Sequence, residues 1–135
     1  MPRILIATLC DDVRVEQGGK HSLMGVFNLF GISDFRNPVD SFWIYARIEF
    51  EQEGEYPVGF EFRTIEGEPI FQVNASISLE QKPSSQLKPV GELKFRVNGF
   101  RFPRQGVYEL AVKVNNKVEQ TVPVEVIVPK APYRQ

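Results

Sequence analysis

From Phe42 to Glu51 the even positions, Phe42, Ile44, Ala46, Ile48 and Phe50, are all apolar, while the odd ones pass from Trp43 and Tyr45 to Arg47, Glu49 and Glu51. A two-residue period places one set of side chains against a core and the other toward solvent, which is the signature of an extended strand. The same period runs through Val58, Phe60 and Phe62, through Phe71, Val73, Ala75, Ile77 and Leu79, and through Leu93, Phe95 and Val97. It returns in Tyr108, Leu110, Val112 and Val114, and in Val122, Val124, Val126 and Val128. Ile4–Leu9 and Leu23–Phe30 are apolar on both faces, so these strands are central or have their outer face covered. No stretch holds a period near 3.6. The expectation is an all-β chain of about eight strands, an antiparallel β-sandwich over residues 1–135 with a tail from 129 to 135.

The punctuation agrees. "QGGK" at 17–20, "EGE" at 66–68, "KPSSQLKP" at 82–89 and "NN" at 115–116 are loop or tight-turn chemistry. "VNGF" at 97–100 sits where the inward parity changes, as at a bulge. A chain of 135 residues can bury a core without staples, and its single cysteine cannot form an internal disulfide. Sixteen basic and seventeen acidic residues nearly cancel, leaving no long-range field to recruit nucleic acid or an anionic bilayer. The apolar run before Cys10 is shorter than a signal needs, bulky Leu9 precedes the cysteine, and no later segment is apolar for long enough to span a bilayer. A cytoplasmic address is expected.

"FPRQGVYELAVKV", residues 102–114, is similar to the corner of immunoglobulin-like sandwiches, where a glycine precedes a tyrosine by two positions. That resemblance implies a structural role for Tyr108, its hydroxyl tying the corner, with Leu110 in the place of a disulfide cysteine. Trp43 departs from the pattern, because it lies opposite its strand's inward residues.

"CDDVRVEQGGKHSLMGVF", residues 10–27, gathers the only thiol, two aspartates, a glutamate and the only histidine. Following an apolar strand, and with the later "FPRQGVY", it resembles an uncharacterised bacterial family of small all-β proteins, over most of the chain. The resemblance implies the fold and a bacterial origin, and it carries no activity.

Three surfaces are chemically distinct. If the first two strands pair across an 11–20 loop, Cys10 and His21 could face each other, with Asp12 or Asp11 orienting the ring; a nucleophilic site also needs oxyanion donors, and none is readable. Asp11, Asp12 and Glu16 offer carboxylates for calcium, and strands alternating in direction would add Glu51, Glu53 and Glu55, partly neutralised by Lys20, Lys82, Lys88 and Lys117. Arg14 can instead pair with these carboxylates and fix the loop. Trp43, Tyr45 and Arg47 form an aromatic face of the type enriched at binding hot spots. There is no P-loop, dinucleotide fingerprint, paired-histidine zinc motif or serine elbow, so no cofactor is implied. The expected function is non-catalytic binding or assembly, through a protein partner or a second copy; the alternative is a small enzyme or calcium-dependent protein using the Cys10, Asp11, Asp12 and His21 end.

Overall fold

The computed structural model describes residues 1–80 and 85–129. Nine strands are found among them: β1 (Arg3–Val15), β2 (His21–Phe27), β3 (Leu29–Gly31), β4 (Phe42–Glu49), β5 (Gly54–Thr64), β6 (Pro69–Leu79), β7 (Val90–Val97), β8 (Gly106–Val114) and β9 (Lys117–Ile127). They form two facing sheets, in the orders β2-β1-β4-β7 and β3-β9-β8-β5-β6. Every pairing is antiparallel except β3 with β9.

The core follows the alternation. Phe42, Ile44, Ala46, Ile48 and Phe50 are buried and face Val58, Phe60 and Phe62 of β5 and Leu110, Val112 and Val114 of β8. Phe62 centres an aromatic cluster, with ring centroids 5.4 Å from Phe71, 5.7 Å from Phe102 and 5.9 Å from Tyr108. Each such ring contributes about 1.5–3 kcal/mol through burial. At the β8–β9 turn Asn115 and Asn116 have φ of 54° and 64°, the left-handed pair that a two-residue hairpin needs. The Tyr108 hydroxyl donates to the Arg104 carbonyl at 2.5 Å and accepts from the Arg104 N–H at 3.3 Å, closing the corner before β8.

Several expectations are corrected. Leu23–Phe30 is not one strand: the chain leaves one sheet after Phe27 and joins the other at Leu29, and Asn28 fixes the crossing by accepting the Glu125 N–H at 2.9 Å and donating to the Pro123 carbonyl at 3.2 Å. This crossing raises the strand count to nine and creates the parallel pair. The first turn is shorter than residues 11–20, because β1 continues to Val15 and Glu16 and Lys20 close the turn. Residues 97–100 are not a bulge; β7 ends at Val97, and Gly99 turns the chain with φ +65°. Asp11 and Asp12 also do not share an end with Glu51. Cys10 pairs with Trp43 at the start of β4, whereas Arg3 pairs with Glu49 at its finish, so Glu51 lies at the far end, bound to Lys88 at 3.1 Å. Residues 130–135 of the expected tail, and Lys82, lie outside the described residues.

Candidate functional site

The β1–β2 register separates the expected dyad. Cys10 lies opposite Val26 and His21 opposite Val15, so the two are not cross-strand partners. Cys10 is 0% exposed. Burial pushes its thiol up from the ordinary value, a backbone hydrogen bond from Asp12 opposes the rise, and the Asp11 and Asp12 charges add to it. Such a thiol is held away from the nucleophilic thiolate form. Cys10 and His21 are therefore not the facing pair that a thiolate–imidazole site needs. Nor do Asp11, Asp12 and Glu16 gather as metal ligands: among the described residues no three His, Cys, Asp or Glu side chains are placed to hold an ion. Arg14 pairs with Asp12 at 3.5 Å.

His21 goes elsewhere. Its ring lies 5.7 Å from that of Tyr45, whose partner on β1 is Thr8. In a straight strand Val15 would stand about 23 Å beyond Thr8, so the far half of the hairpin must fold back over the outer face of its own sheet. The bend falls at the Asp11–Gly25 step, which the β1–β2 ladder omits. Gly25 has φ +68°, and a Cβ there would fall on the Asp11 carboxylate. The tip glycines Gly18 and Gly19 then rest beside Ile6, Tyr45 and Arg47 around a cavity of about 360 Å³.

Beneath the folded hairpin, Glu92 of β7 is the common acceptor. One of its oxygens takes the Tyr45 hydroxyl at 2.5 Å and an Arg47 N–H at 2.9 Å, and stands 2.7 Å from His21 Nδ1, out of line for a hydrogen bond. Lys94 Nζ stands 3.3 Å from His21 Nε2. An ammonium only donates, so Nε2 is the acceptor in that contact. The expected aromatic face is thus not an open surface: Tyr45 is 2% exposed, Trp43 is half-buried and Arg47 is engaged by Glu92. Glu92 and Lys94 escape sequence reasoning, because they read as the polar alternates of β7 and only the β4–β7 register sets Glu92 opposite Arg47 and Lys94 opposite Tyr45.

A second concavity lies at the hinge end. A groove of about 580 Å³ runs between the β2–β3 crossing and residues 32–41, floored by Val26, Phe27, Leu29 and Phe30 and rimmed by Asp11, Asp34 and Asp40. Val26 and Leu29 are 61% and 51% exposed. The far wall is pinned, with Ile32 N–H donating to Ile127 and Val39 N–H to Phe100, both at 2.9 Å, and Ser41 Oγ bonded to Asn98 at 2.8 Å. Arg36 grips Asp34 through two guanidinium bonds of 3.0 and 2.9 Å, which holds that carboxyl below its usual range. Asp11 and Asp40 have no ion-pair partner among the described residues, and none of the described lining residues is basic. Sequence reasoning found Asp11 and missed Asp34 and Asp40, since a loop's approach to a sheet edge leaves no periodic mark.

The fold is similar to the C-terminal domain of Wzt, with a TM-score of 0.52 at 16% identity over 99% of this chain and 83% of that one. It is also similar to part of a β-glucosidase from Listeria innocua solved with glucose, with a TM-score of 0.50 at 9% identity, covering 96% of this chain and 16% of the enzyme. At such identities the likeness is one of fold alone. Among curated proteins none matches. No helix among the described residues is long and apolar enough to cross a membrane. Residues 5–127 match the model of the family of unknown function DUF6941, and the chain belongs to that family.

Proposed function

We propose that this chain is a non-catalytic binding module of the bacterial cytoplasm that seats a segment of a partner protein in the groove between the β2–β3 crossing and residues 32–41. The observation that carries the reading is the pairing of an apolar floor with a rim bearing three carboxylates, of which Asp34 is held by Arg36 while Asp11 and Asp40 have no ion-pair partner among the described residues. Exposed apolar side chains in a walled groove favour an apolar ligand face, and unpaired carboxylates favour basic side chains at its edges. Backbone bonds hold the far wall in place, so little ordering cost falls on binding.

Fluorescence anisotropy with a labelled peptide alternating lysine and leucine tests this, against a counterpart in which glutamate replaces lysine. The lysine peptide binds, the glutamate peptide does not, and the double change Asp11→Asn with Asp40→Asn weakens binding about tenfold. Equal binding of both peptides, or no effect of the double change, refutes the reading.

A further inference from the structure

The hairpin beyond Asp11 has a hinge at one end and one polar latch at the other. Residues 12–15 and 21–24 pair only with each other, whereas β4 meets β1 only as far as Cys10. No backbone ladder therefore ties this part of the hairpin to the rest of the sheet. None of residues 11–25 is fully buried, yet Cys10, beside the bend, and Tyr45, against the His21 ring, are. The hairpin is held down by side chains: His21 against Glu92 and Tyr45, and Lys94 against His21. At the other end, the ladder is interrupted where Gly25 adopts a left-handed conformation and Asp11 fills the space that a side chain would need.

We propose that residues 12–24 form a strap that opens as a unit about the Asp11–Gly25 step, latched by the His21–Glu92 contact, and that opening uncovers Cys10 and Tyr45. A segment with few buried contacts and no ladder to its surroundings lies at the low end of the local stability scale, whereas β4, paired on both edges, lies at the high end. Asp11 and Gly25 also line the groove, so the hinge of the strap is part of its wall. The inference stands on the hairpin geometry and is independent of what the groove binds.

The only thiol of the chain reports on opening directly. In native buffer, Cys10 labelling by a disulfide reagent proceeds slowly in the wild type, at a rate nearly flat in low denaturant. His21→Ala and Glu92→Gln each raise it about tenfold, since each removes one partner of the latch. As a control for general destabilisation, Tyr108→Phe at the opposite sheet leaves the low-denaturant rate unchanged. Hydrogen exchange on the wild type needs no variant: the amides of residues 12–15 and 21–24 exchange together and far faster than those of β4. If Cys10 labelling follows global unfolding at every denaturant concentration, or if strap and β4 amides are equally protected, the strap does not open separately and the proposal fails.

Discussion

The Tyr45 hydroxyl donates to the Glu92 carboxylate at 2.5 Å, diagonally across the β4–β7 pair in which Lys94 is the direct partner of Tyr45. Burial first, and then the bond to Glu92 and its negative charge, push the phenol from 10.0 up to about 12, against a smaller opposing effect of Arg47. Because the folded value lies above the unfolded one, the stabilisation is complete below pH 10.0 and is lost as the pH rises through about 12. It amounts to something on the order of 2 kcal/mol. In an alkaline absorbance titration Tyr45 ionises late. Tyr45→Phe removes that late step, and its absence from the wild-type curve would contradict the assigned environment.

Tyr108 closes the corner before β8 through both polar groups of Arg104. Tyr108→Phe preserves the ring contacts with Phe62 and Phe102 and leaves the Arg104 carbonyl without its donor. Equilibrium denaturation shows a loss of about 1–2 kcal/mol with an unchanged denaturant slope.

Gly59 permits the close approach of β5 and β6, since a Cβ there would fall on the backbone oxygen of Val73. Gly59→Ala costs roughly 2 kcal/mol or more, because neither strand can shift without disturbing its ladder. Gly31→Ala serves as the comparison: there the nearest atom to an added Cβ is Pro129 Cγ at 3.7 Å, an ordinary contact. Its melting temperature stays close to the wild type.

Calcium does not change the melting curve. An ion bound only by the folded chain raises the melting temperature, and Asp11, Asp12 and Glu16 are not gathered to hold one. A rise in melting temperature with added calcium, absent with magnesium, would overturn this.

Trp43→Ala leaves the solution mass unchanged in light scattering. With Tyr45 covered by His21 and Arg47 bonded to Glu92, Trp43 does not belong to a continuous open aromatic face. A lower mass for the variant would restore that face as a contact between copies.

The long strands were legible because alternation is a local property. In β4, β6, β8 and β9 the apolar parity alone separates core from outer face, and the two-residue turn at Asn115 and Asn116 announces its own geometry. The stretch from Leu23 to Phe30 misled for the same reason: an unbroken apolar run carries no mark of the Asn28 crossing, which is decided by the Glu125 and Pro123 backbone groups far along the chain. The expected facing of Cys10 and His21 failed on register, which sets each of them on a different rung of the β1–β2 ladder.

By itself, then, the sequence determined that the chain is all strand and which residues turn inward along most strands, because those follow from side-chain period and turn chemistry within a few residues; Phe95 and Val128, expected inward, are exposed. The tertiary structure alone decided that His21 meets Glu92, that Asp11 sits in the space at Gly25, and that three aspartates rim one groove. Each of those contacts depends on how strands are registered and where a hairpin bends, and these are set by packing across the whole sandwich.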